Sequence, residues 1–214
     1  MNQVITIIGA GKGISHAVAR RFAREGYAAA LISRNPSNLT SEVKAIQELG
    51  VECLSFAADA ADSSQLVSAL EGVESALGAT QVLHYNAAAI KMKNILEEDA
   101  DSLTADFQVN VAAALTAVRH VIPKMESGKS SILLTGGGFA MHPMPDFGSL
   151  AVGKAGIRNL TDSLNQALQK KGIFSGTVTV CGLVKPEDAK YNPENIAEQF
   201  WNLHTERDKW EIVF

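Results

Sequence analysis

Hydrophobic and polar positions alternate between two periods along this chain. Short β-branched or aliphatic runs at residues 3–8, 28–33, 51–57, 80–85, 130–135 and 176–181 predict buried strands. Amphipathic stretches at 13–25, 37–49, 63–77, 101–126, 148–170 and 193–204 predict helices between them. Strands that read as continuous apolar runs are buried on both faces. The pattern therefore predicts an α/β fold, a doubly wound parallel sheet with helices on both faces. Trp210 to Phe214 is expected to add a last edge strand. No linker, low-complexity segment or fixed-period repeat divides the chain, so residues 1–214 read as a single domain. Right-handed crossovers and a switch in strand order place a ligand crevice at the carboxyl ends of the strands. Attention then falls on 9–14, 34, 58–60, 86–91, 136–147 and 182–192.

Composition narrows the function classes. Hydrophobic residues are 46% and charged residues 20% of the chain, a balance that supplies a core and argues against long disorder. A net charge of −4, without any Lys/Arg block, gives no general attraction to nucleic acid. No apolar run approaches the ~20 residues of a membrane span. The chain enters its first strand without a basic region or cleavage site, so a cytoplasmic protein is expected. Cys53 and Cys181 lie in apolar runs and are expected to be buried, reduced thiols.

The candidate chemistry sits at the predicted strand ends. The first strand breaks into Gly9-Ala10-Gly11-Lys12-Gly13-Ile14-Ser15 and restarts as a helix. Glycine permits the tight torsions and close backbone approach that a phosphate needs, and the helix points its positive end at the anion. After the second strand stands Arg34, where a site for an unphosphorylated ribose commonly carries an acid. Arg34 can hold a 2′-phosphate and stack on adenine, and Lys12 adds a second cation. Both can equally be solvated surface charges. Asp59, beside Ala60, can accept from an adenine amino group or simply belong to a turn, while Asp62 is placed to cap the next helix. Asn86-Ala87-Ala88-Ala89 offers small side chains against which a ribose can lie.

Gly9-x-x-x-Gly13, Arg34, Asp59, Asn86-Ala87-Ala88, Asn110, Lys154 and Gly182 fall in the order and approximate spacing of the short-chain dehydrogenase/reductases, which the chain resembles from Val4 to its end. The resemblance implies a Rossmann-type fold, binding of NAD(P)(H) and hydride transfer to or from a carbonyl or alcohol. With Arg34 and Lys12 it implies NADP. It extends the cofactor-binding set to Gly11, Ile14, Ala60, Ala87, Lys154 and Val184, and it implies a homodimer or homotetramer built on helices 101–126 and 148–170.

The family's signature places a tyrosine four residues before the lysine and a serine about thirteen before the tyrosine. Counted from Lys154, those positions hold Leu150 and Gly137. Ser15 also stands for the third glycine, and Cys181-Gly182 for the usual Pro-Gly. Hydride delivery leaves an alkoxide that must be protonated, and Leu150 has no proton to give. The resemblance leaves Lys154 a role on the nicotinamide ribose and Asn110 a role in kinking its helix or holding a water. His142, the imidazole in this loop, is the leading substitute acid, ahead of Asp146, Tyr85, Lys91, Lys93 and Ser149. The plainer reading makes His142 a loop residue and Asp146 the cap of the helix near 148. Met141, Met144 and Phe147 suggest an apolar wall to a substrate pocket, or core anchors. His84 is expected at a strand end, partly buried. Two functions remain in view: an NADP(H)-dependent oxidoreductase with a non-standard proton donor, and a non-catalytic dinucleotide-binding sensor or partner subunit. Hydrolysis or isomerisation ranks below both, for want of a nucleophile–base pair.

Overall fold

In the computed structural model, which describes residues 3–214, the strand β1 (Val4–Ile8) has every side chain buried. Its alternating residues serve opposite faces of the sheet. Val4 and Ile8 pack with Leu66, Leu70, Val118 and Ile157, while Ile5 and Ile7 pack with Val18, Phe22 and Phe200. The remaining strands are β2 (Ala28–Ser33), β3 (Cys53–Ala57), β4 (Val82–Tyr85), β5 (Ser131–Gly137), β6 (Phe174–Val180) and β7 (Glu211–Val213). All pair in parallel, in the order β3-β2-β1-β4-β5-β6-β7. The order reverses between β1 and β4, which opens the expected crevice beyond their carboxyl ends.

Helices α1 (Ile14–Ala23) and α7 (Pro193–Glu206) pack together on one face. On the other lie α3 (Ser63–Leu77), α5 (Ala113–Val121) and α6 (Gly148–Leu168), and α2 (Thr40–Gln47) follows a short 3-10 turn at Pro36–Leu39. Asp62 caps α3 as expected, accepting from the amides of Ser64 and Gln65. The expected helix 101–126 is interrupted. It runs as α4 (Ala100–Phe107), a π-helical turn at Gln108–Ala112, then α5. Tertiary partners account for the break: the Tyr85 hydroxyl donates to the Val109 carbonyl, and Asn110 Oδ1 accepts from the Ala89 amide at 2.7 Å. Three smaller expectations are corrected. Cys53 is buried but Cys181 is exposed, because the chain leaves the sheet after Val180. Asp146 does not cap α6; its carboxylate accepts from Asn94 Nδ2 at 2.9 Å. His84, next to the last residue of β4, is fully buried rather than partly buried. No helix among the described residues is long and apolar enough to cross a membrane.

Two buried histidines give the fold a defined response to acid. His204 bridges the Tyr27 hydroxyl (3.0 Å) and Ser131 Oγ (2.8 Å), and burial, with the Arg207 charge, lowers its pKa to about 4. His84 Nε2 lies 3.0 Å from Thr135 Oγ1, and burial alone lowers it to about 3. Both are neutral in the fold, whereas an unfolded histidine titrates near 6.5. The stability that this neutrality contributes is complete above pH 6.5 and is lost as pH falls towards those folded values. Urea unfolding between pH 7 and 4 is expected to show that decline, at up to about 1.4 kcal/mol per pH unit for each histidine. His204→Gln should flatten part of it, and a slope unchanged by that substitution would contradict the assignment.

Candidate functional site

The turn after β1 is held from below. The amides of Gly9 and Ala10 both donate to the Ile32 carbonyl, at 3.0 and 2.9 Å, which ties the glycine turn to the end of β2. Gly9 has φ 80°, and a Cβ placed on it would stand 2.4 Å from the Ala87 amide nitrogen. Only glycine lets these two backbone segments touch. Ser15, in the third-glycine position, closes the turn: its hydroxyl donates to the Gly11 carbonyl and accepts from the Gly11 amide, both at 2.9 Å. Gly13 starts α1 at φ 94°, leaving the first-turn amides of α1 as free donors. Across the crevice, Asn86 Nδ2 donates to the Gly9 carbonyl at 3.3 Å, and its amide to the Ile8 carbonyl.

These strand ends enclose a cavity of about 1000 Å³. Of the residues singled out from sequence, Gly9, Gly11, Lys12, Arg34, Asp59, Ala60, Asn86 and Ala87 line it. Lys12 and Arg34 are exposed, and neither belongs to an ion pair among the described residues. Two cations without an ion-pair partner among the described residues, both lining one cavity beside the glycine turn, suit a phosphate-bearing ligand. Asp59 lines the cavity, and its Oδ1 accepts from the Ala61 amide at 2.9 Å. Asn35, Asn38 and Leu39 also line the cavity, beside Arg34. They escaped the sequence reading because only the turn at Pro36 brings them back over the crevice.

Gly13, Ile14, Asn110, Lys154, Gly182 and Val184 stand outside the cavity lining. Gly182 has a structural reason of its own, since a Cβ there would meet the Tyr191 ring at 2.2 Å.

The remaining singled-out residues lie around α6. Leu150, in the tyrosine position, is buried at 6% exposure. Lys154, one turn later, donates from Nζ to the Thr135 carbonyl at 2.8 Å. Its stem lies over Gly137, where an added Cβ would come within 3.3 Å of Cδ and Cε. Burial lowers the Lys154 pKa to about 8. Asn110 packs on Gly153, and its Nδ2 is buried with no hydrogen-bond partner among the described residues. His142 stands exposed on the loop after β5, outside the cavity lining. Met144 is 48% exposed, and Phe147 stacks on Phe139 at 5.3 Å; with Met141 they lie outside the lining too.

Lys91 does line the cavity, but its ammonium is held by Glu98 (3.0 Å), Asp106 (2.8 Å) and Ser102 Oγ (2.6 Å), and the Asp106 and Glu98 carboxylates raise its pKa. Asp106, a cavity residue absent from the sequence reading, is recognisable only once α4 and the loop after β4 are seen together.

Residues 3–196 match the profile of the short chain dehydrogenase family. A short-chain dehydrogenase/reductase of Armillaria gallica is 29% identical over 163 residues, covering 74% of this chain and 62% of its own length. The chain therefore spans less than two thirds of that relative. Among solved structures, a metagenomic short-chain oxidoreductase in complex with NADP superposes with a TM-score of 0.86 at 24% identity, covering 99% of this chain and 96% of that one. A short-chain oxidoreductase from Pseudomonas aeruginosa, described as containing an atypical catalytic centre, superposes at 0.87 with 19% identity, covering 98% and 94%.

Proposed function

Since the chain belongs to the short-chain dehydrogenase family, we propose that it is an NADP(H)-dependent oxidoreductase acting on a small carbonyl or alcohol, with a proton donor other than the family's tyrosine. The carrying observation is the pair of exposed cations, Lys12 and Arg34, that line the cavity with no ion-pair partner among the described residues. Arg34 reaches the 2′-phosphate with two parallel donors, and Lys12 adds a point charge. The Gly9–Ala87 contact and the free first turn of α1 fit a diphosphate in the same cavity. Asp59 accepts from adenine, and Asn86, by bracing Gly9, keeps the turn in shape. Lys154 orients the nicotinamide ribose. The complex of a related fold with NADP is consistent with this ligand. When bound, the cofactor supplies the hydride.

A single domain, assembled in the cytoplasm as a homodimer or homotetramer, accompanies this reading; Leu115 on α5 and Val152 on α6 are exposed on the helices that would meet. Leu150 and Gly137 favour a second reading, a dinucleotide-binding sensor without turnover. Two measurements separate the readings. Fluorescence titration is expected to show NADPH binding at least tenfold more tightly than NADH, and equal affinities would overturn the NADP assignment. NADPH oxidation screened over aldehydes, ketones and enones is expected to give a turned-over carbonyl; binding without turnover on the whole panel selects the sensor.

A further inference from the structure

The stretch Ile90-Lys91-Met92-Lys93, which follows the alanines after β4, alternates in the opposite sense to an ordinary surface segment. Its apolar side chains face solvent, Ile90 at 72% and Met92 at 78% exposure. Its lysines are drawn onto carboxylates instead. Lys91 meets Asp106 at 2.8 Å and Glu98 at 3.0 Å, and Lys93 lies 3.6 Å from Glu98, whose side chain is 2% exposed. An ammonium is far better hydrated than an aliphatic chain, so solvent alone favours the reverse arrangement. The ion cluster beneath therefore holds the apolar side outward. Further along, Leu96 is 92% exposed.

This apolar strip is fastened along the rim of the crevice. At one end Ile90 lines the cavity beside Ala87, Ala88 and Ala89. At the other, the strip is joined to the loop that leads into α6. Lys93 forms a parallel bridge with Phe147, the Ile95 amide donates to the Pro145 carbonyl at 2.9 Å, and Asn94 Nδ2 donates to Asp146. Met144, half exposed, belongs to that loop. Ile95 also rests on the first residue of α6, since a Cβ on Gly148 would stand 2.7 Å from its side chain. One apolar edge thus runs from the cavity to the helix start that carries Leu150. A ligand following that edge meets aliphatic side chains, and both cations of the strip are already answered by carboxylates. Resting on the oxidoreductase reading, we infer that the substrate is a neutral carbonyl compound with an extended apolar tail, gripped by Ile90, Met92, Leu96 and Met144. Continuity with the cavity favours this occupant over a second copy of the chain. Exposed Glu97, Asp99 and Asp101, which follow Leu96, oppose an anionic lipid surface.

A chain-length series tests the inference. With NADPH as reductant, kcat/KM is expected to rise about two- to fourfold per methylene from propanal to octanal, the gain that burying a CH₂ supplies. The double variant Met92→Gln/Leu96→Gln, checked for folding by circular dichroism, should lower the octanal-to-propanal ratio by about tenfold or more, whereas Met92→Leu should keep it. Calorimetric titration with octan-1-ol adds a readout that needs no turnover, and the double variant should weaken that binding by about tenfold. Aldehydes reduced with equal kcat/KM along the series overturn the inference and leave the oxidoreductase reading standing. Octan-1-ol binding that the double variant weakens, without turnover of any aldehyde, keeps the apolar ligand and overturns the oxidoreductase reading. With neither turnover nor octan-1-ol binding, both fall. If the double variant alters the sedimentation coefficient but neither the ratio nor octan-1-ol binding, a second copy covers the strip and the inference is wrong.

Discussion

Arg34→Ala is expected to weaken NADPH binding by about 10–100-fold and to leave NADH binding within about twofold. The estimate follows from the bonds lost: a hydrogen bond to a charged group contributes roughly 1.5–3 kcal/mol, and about 1.4 kcal/mol is a factor of ten. Among the described residues Arg34 has no ion-pair partner to release, so the substitution subtracts the phosphate contact and little else. Lys12→Met should act in the same direction with a smaller effect, because an exposed point charge is screened by salt. Paired fluorescence titrations at two ionic strengths check both. If Arg34→Ala weakens the two coenzymes equally, its side chain serves the adenine or the fold rather than the 2′-phosphate.

Gly9→Ala is expected to damage the fold and the site together. The new methyl would stand 2.4 Å from the Ala87 nitrogen and 2.5 Å from its Cα, both backbone atoms that no rotamer change can move aside. The torsion at Gly9, φ 80°, adds strain for any residue with a Cβ. Conformational strain and overpacking each contribute roughly 1–3 kcal/mol, so a loss of about 2–5 kcal/mol is expected in urea unfolding. NADPH binding should fall below detection, because Gly9 and Ala87 both line the cavity. Gly11→Ala is the control, since a Cβ there meets nothing within 4 Å. It should unfold like the wild type, and equal destabilisation by the two substitutions would show that the β1–β4 approach is not what demands glycine.

Much of the fold was legible because the strands are buried on both faces. Runs such as Val4–Ile8 and Ala28–Ser33 carry that burial in their composition, and the cavity follows from where such runs stop. Arg34 was readable for the same reason, as it directly follows β2, and Lys12 because it sits in the glycine turn after β1. What escaped depends on partners distant in sequence. The π turn around Asn110 needs Tyr85 and Ala89, and Asp146 is claimed by Asn94 before it can cap α6. His84 is sealed by Phe200, 4.7 Å away on α7, a contact that no local pattern announces. The posture of Lys154 over Gly137 likewise rests on an atom that is missing, which a spacing count records only as a departure.

The π turn at Gln108–Ala112 also imposes a counting rule on this segment. It holds one more residue than an α-helical turn would, and each residue rotates a helix by about 100°. The halves on either side are therefore phased independently, Asp106 towards Lys91 and Val118 into the core. Excising any one residue from 108–112 would restore a continuous helix and force one half to swing its working face off target. Substitutions can be absorbed in that stretch far more readily than a change of length.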